Sequence, residues 1–143
     1  MGFFEFKEHT ADEKFVVRAD DYNDAFATAV KAFYTVMLGD QSLKTHSHTR
    51  NIHITASKIE SLLYDFLNEL IYYFDAEDLL LPQVRHMNIS TGGDGGYHLE
   101  AVLAGTTHYN YALETEIKNM TYSEMEIKRL DDGAVEMTVV VDI

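Results

Sequence analysis

Apolar residues near the start of the chain recur every second position. Phe4 and Phe6 do so within residues 3–8, and Phe15, Val17 and Ala19 within residues 14–19, which predicts two half-buried strands. The polar turn His9-Thr10-Ala11-Asp12 separates them. From Asp21, a suitable N-cap, the period becomes helical through Phe26, Ala29, Val30, Phe33 and Met37, and Gly39 supplies a stop. The span is an amphipathic helix of about four to five turns. Residues 46–56 read as a strand with Ile52, Ile54 and Ala56 on one face. Ser57-Lys58-Ile59-Glu60 fits a capping box opening a second helix, whose apolar stripe is Ile59, Leu62, Leu63, Phe66, Leu67, Leu70, Ile71 and Phe74.

After Pro82 the pattern is strand-like throughout, in segments 84–90, 97–107, 115–130 and 134–142. Gly-rich 91–96 and Asp131-Asp132-Gly133 read as hairpin turns. Within 115–130 the apolar parity changes from even (Met120, Tyr122) to odd (Met125, Ile127), which predicts a bulge near Ser123. These elements make an α+β protein, with two helices packed on one face of a mostly antiparallel sheet of about six or seven strands. A strictly alternating α/β order is excluded.

The chain has 143 residues, enough for one domain, 1–143, and any site must be built on one core. Eleven Lys and Arg against 24 Asp and Glu leave a net charge of −13, which disfavours direct nucleic-acid binding and serves either as a solubility device or for docking onto a basic protein. There is no Cys, so disulfides, zinc-thiolate sites and thiol nucleophiles drop out together. No apolar run approaches the roughly 20 residues that span a bilayer, and the acidic start lacks a signal-peptide pattern, so a cytoplasmic protein without membrane attachment is expected. Asn88-Ile89-Ser90 and Asn119-Met120-Thr121 are then chance glycosylation matches. The Gly-rich loop lacks the Lys-Ser or Lys-Thr pair of a phosphate loop, and His46 and His48 have no evident third metal ligand.

Candidate chemistry lies at the two ends. His9 and Asp12 share a short polar turn between strands that otherwise read as core. The last strand is apolar nearly throughout and closes on Asp142-Ile143, so a side-chain carboxylate and an α-carboxylate fall one residue apart. If the Asp12 turn meets that end of the sheet, three carboxylates converge, and their repulsion calls for a hard divalent ion, Mg²⁺, Ca²⁺ or Mn²⁺.

Four blocks extend this picture. They are His9-Thr10-Ala11-Asp12, Asp65-Phe66-Leu67-Asn68-Glu69-Leu70 with Phe74-Asp75-Ala76-Glu77, Glu116-Ile117-Lys118-Asn119-Met120-Thr121-Tyr122, and Val141-Asp142-Ile143. In this order and spacing they resemble the archease family over essentially the whole chain. The resemblance implies a strand-helix-strand-strand type core and a metal site on Asp12, Asp142 and the carboxyl terminus of Ile143. It further implies service as a non-catalytic activator of a GTP-dependent tRNA-splicing RNA ligase. In that role the protein promotes guanylylation and multiple turnover and meets GTP only through the ligase. Lys118 matches a lysine the family places near this site, where it or His9 would contact the partner or a phosphate. Two positions depart from the family pattern, Ser123 where His is usual and Phe66 where Trp is common. The alternative from another class is a small metal-dependent phosphohydrolase using the same carboxylates, for which His9 is the one candidate base.

Overall fold

In the computed structural model, which describes residues 2–7 and 12–143, the early alternation becomes an antiparallel pair, β1 (Phe3–Lys7) and β2 (Asp12–Ala19). His9 lies outside the described residues. Next come α1 (Tyr22–Leu38), β3 (His48–Ala56), α2 (Ile59–Glu77), β4 (Leu79–Thr91) and β5 (Tyr97–Thr107). A 3₁₀ turn at His108–Asn110 leads to β6 (Asn119–Met120), β7 (Glu126–Arg129) and β8 (Val135–Asp142).

The α+β class holds, with two α-helices and antiparallel pairing throughout, and the strands among the described residues divide between two sheets. One sheet runs β1-β2-β8-β6, with β7 paired to β8 on the same side as β6; the other runs β3-β5-β4. Both helices touch strands of both sheets. Accordingly α1 is buried around most of its circumference, and only Ala27, Lys31 and Thr35, at helical spacing, leave a partly open strip beyond its first turn. Phe26 of α1 and Phe66 of α2 meet at 6.1 Å between ring centres. Phe66 is fully buried.

Local chemistry sets the helix ends. The Asp21 carboxylate accepts from the Asp24 N–H at 2.8 Å, as an N-cap should, and Gly39 takes a positive φ of 62° beyond α1. The capping box expected at Ser57 does not form: α2 starts one residue later, with Lys58 at the cap and no side-chain bond there. The second helix ends on Asp78 in the left-handed region, which Asp tolerates. Its carboxylate accepts from the Tyr109 hydroxyl at 2.6 Å and faces His108, so the helix end is tied to the 3₁₀ turn. Tyr109 chiefly, and His108 after it, hold the Asp78 carboxyl below its usual pKa.

Pro82 sits inside β4, where the expectation was a strand starting after it. The strand tolerates it because β4 is an edge strand and the register shifts between Leu80 and Gln83, where Leu81 and Pro82 together oppose Gly105. At that bulge the Leu80 carbonyl oxygen lies 1.7 Å from where a Cβ on Gly105 would be, so no side chain fits. We expect Gly105→Ala to cost about 2 kcal/mol or more in urea denaturation, as forced overpacking does. An unchanged midpoint would contradict this close approach.

Candidate metal centre at the end of the central strand

The pairing of β2 with β8 matches Phe15 with Val139, Val17 with Met137 and Ala19 with Val135. All six side chains are buried against the helices, which fixes this register. The alternate residues face outward, and the last rung on that outer face pairs Asp12 with Asp142. Directly opposed residues hold their Cβ atoms about 4.5–5.5 Å apart. The two aspartates, 130 positions apart in sequence, therefore stand side by side. On the other side of β8, Asn119 of β6 is also opposite Asp142, so the rung reads Asp12, Asp142, Asn119 across three strands. Asn119 carried no periodic signal of its own in the sequence. Its place in the rung is a property of pairing alone.

The 115–130 segment is not one bulged strand. β6 pairs Met120 with Val141, β7 pairs Glu126 with Thr138, and residues 121–125 loop out opposite only Val139 and Val140. A loop with three extra residues flips side-chain parity as a one-residue bulge does, because both numbers are odd. Residues 115–118 precede β6 and are outside the ladder strands, although the Lys118 N–H donates to the Asp142 carbonyl at 2.8 Å. Alternation puts Asn119, rather than Lys118, on the Asp142 face. Glu124, with φ of 58°, accepts from Lys14 Nζ at 2.8 Å, and Tyr122 stacks on Tyr64 of α2 at 4.0 Å. Ser123 gives its backbone N–H to Thr121 Oγ1 at 3.0 Å.

Three rungs away, the same face of β8 carries Glu136, opposed by Arg18 on one side and Lys128 on the other. Arg18 Nε donates to it at 2.6 Å and Lys128 Nζ lies 3.4 Å away. This carboxylate is matched with two cations, whereas Asp142 faces another carboxylate and a neutral amide. Lys14, one rung below Asp12, donates to Glu124. Among the described residues no three His, Asp or Glu side chains form a metal-holding group. As a donor set, two hard carboxylates side by side fit a Ca²⁺-, Mg²⁺- or Mn²⁺-like ion. Ile143 turns its side chain to the core.

A sequence profile of the Archease protein family (MTH1598/TM1083) matches residues 4–143. The chain belongs to the archease family. It is 34% identical over 142 residues to the protein archease of Methanosarcina acetivorans, covering 98% of this chain and 95% of that one. With the archease of Methanothermobacter thermautotrophicus it shares 31% identity over the full length of both. The solution structure of Methanobacterium thermoautotrophicum protein 1598 superposes with a TM-score of 0.82 at 31% identity, over 98% of each chain. A crystal structure of a Thermotoga maritima archease, described as a possible chaperone, has a TM-score of 0.65 at 20% identity, covering 96% of this chain and 94% of that one, which supports the shared fold. No helix among the described residues of this archease is long and apolar enough to cross a membrane.

Two expectations follow from the contrasting rungs. Arg18 first, then Lys128, holds the Glu136 carboxyl below its ordinary 4.5. A depressed folded pKa means the bridge contributes fully above the unfolded value and is lost as pH falls through the folded one. Between about pH 5 and pH 3, urea midpoints of the parent chain should therefore fall more steeply than those of Glu136→Gln. Conversely, like charges directly opposed destabilise a ladder, so Asp142→Asn in chelator-treated buffer should raise stability by about 0.5 kcal/mol at low salt. That gain should fade near 1 M salt, where screening is short-ranged. A loss of stability at low salt would contradict repulsion across the rung.

Proposed function

We propose that this archease is a metal-binding accessory protein, itself without catalytic turnover, that activates a GTP-dependent tRNA-splicing RNA ligase in the cytoplasm. The observation that carries the reading is the Asp12–Asp142 rung, two carboxylates directly opposed across β2 and β8, next to Ile143, whose α-carboxylate would complete the set. Membership of the archease family supports the accessory role, and the description of the Thermotoga maritima neighbour as a possible chaperone agrees with it.

In this reading Asp12, Asp142 and the α-carboxylate of Ile143 hold a divalent ion, Ca²⁺, Mg²⁺ or Mn²⁺. Such an ion supplies charge neutralisation and orientation at a nucleotide phosphate. The chain's own contribution is to keep the two aspartates on the ends of well-packed strands, so that the oxygens are placed before the partner arrives. Its net charge of −13 suits approach to a basic ligase surface made for RNA and keeps RNA itself off this protein. GTP is met through the ligase complex. Lys118, whose backbone N–H donates to the Asp142 carbonyl, is assigned a contact with a phosphate or the partner from the sequence. His9 is assigned the same kind of contact from the sequence.

The test is stimulation of the cognate ligase under limiting GTP. The parent chain should raise the guanylylated fraction and allow repeated turnover. Asp12→Asn, and a chain extended past Ile143, should lose about tenfold or more of that stimulation. Full stimulation by Asp12→Asn would refute the role of the rung, and nucleotide hydrolysis by the purified chain alone with Mn²⁺ would favour the phosphohydrolase alternative.

A further inference from the structure

Of the three described residues in the outer rung, only Asn119 carries side-chain hydrogen-bond donors, since ionised carboxylates accept and never donate. Asp142 is thus flanked by a neighbour that repels it and a neighbour that can hold it. Asn119 is exposed, packs into no core, and is a residue type that strands disfavour. Its amide makes no hydrogen bond among the described residues. The backbone around it is nevertheless fixed. Met120 beside it is buried at 5% exposure, and the preceding Lys118 N–H is bonded to the Asp142 carbonyl at 2.8 Å. A poor strand former held rigidly next to the carboxylate is an arrangement that packing and propensity leave unexplained.

Distance decides what it can do. Asp12 and Asn119 lie two strands apart, about 9.6 Å; side chains this short, with ion bonds of about 2.3–2.6 Å, bridge that gap only when laid nearly flat across Asp142 between them, which leaves no room for an ion that Asp142 also holds. The directly opposed Asn119 and Asp142, with Cβ atoms about 5 Å apart, are within reach of an amide-to-carboxylate hydrogen bond.

We propose that Asn119 is a positioning residue of the ion site: when the ion is bound, its carboxamide N–H₂ donates to one oxygen of Asp142, leaving the other directed at the ion shared with Asp12. This role rests on the ion site proposed above. Neither the family profile nor the likeness to other archeases assigns it.

The experiment is Ca²⁺ titration by calorimetry of the full chain and of Asn119→Ala and Asp12→Asn, with Tb³⁺ luminescence lifetimes counting bound waters and Ca²⁺-minus-apo infrared spectra of the carboxylate stretches. Asn119→Ala should bind Ca²⁺ about tenfold more weakly. It should also keep the parent's water count on Tb³⁺, shift the carboxylate difference bands, and leave the metal-free melting temperature unchanged. An unaltered Ca²⁺ affinity overturns the proposal. So does one additional water on Tb³⁺, which would make Asn119 a direct ligand, and so does a lowered metal-free melting temperature with unchanged bands, which would make its role structural. Asp12→Asn separates the two levels: if it binds Ca²⁺ like the parent, the ion site itself fails. If it loses binding while Asn119→Ala does not, only the positioning role fails.

Discussion

The antiparallel register of β2 against β8 is the constraint from which the rest of the site follows. Phe15, Val17 and Ala19 on one strand and Val139, Met137 and Val135 on the other must all point to the helices. A slip of one residue would put every one of them into solvent and turn Lys14, Val16 and Arg18 inward. Several buried side chains at roughly 1.5–3 kcal/mol each enforce that choice, far more than the few tenths that a like-charge pair costs on an exposed face. The aspartates face each other because the hydrophobic residues of the same strands leave no other arrangement.

The outer face of β8 then displays two solutions to one problem. An acidic side chain on a central strand meets a neighbour on each side. Glu136 meets two cations, Arg18 and Lys128, whereas among the described residues Asp142 is opposed by Asp12 and Asn119. Nothing in the strand chemistry prevents a cation at the second rung, as the first rung shows. Departures from local consistency concentrate where a protein binds something, and the contrast singles out the Asp142 end of the strand from the remainder of an acidic surface.

Much of this was legible in the order of residues and some was not. The α1 cap at Asp21, the stop at Gly39, the apolar stripe of α2 and the 97–107 strand all rest on local periodicity, and the structure keeps them. Which strands share a sheet depends on contacts between distant segments, and the division between β1-β2-β8-β6 and β3-β5-β4 left no mark in local pattern. The near-complete burial of α1 follows from that division, since a helix touching both sheets has little surface left for water. The parity switch in 115–130 was visible, but parity reports only an odd insertion. The three extra residues that split β6 from β7 look the same as one. Asp12 and Asp142 stood out as polar residues at strand ends. Asn119, inside a run of mixed character, acquires meaning only once β6 is laid against β8.

The split between β6 and β7 also explains how so short a strand is held in place. Two residues of ladder are a weak attachment, yet the loop that follows is pinned from both faces of the sheet. On the inner side Tyr122 stacks on Tyr64 at 4.0 Å with rings 6° from parallel, joining the loop to α2. On the outer side Glu124 takes the Lys14 ammonium at 2.8 Å, joining it to β2 one rung from Asp12. Aromatic stacking contributes about 0.5–1.5 kcal/mol beyond burial, and the ion pair less. Together with buried Met120 they hold Asn119 against Asp142 where two ladder residues alone would fray. The end of β8 is therefore braced on both edges, by β2 through the core and by β6 through this loop, and the strand terminus gains rigidity.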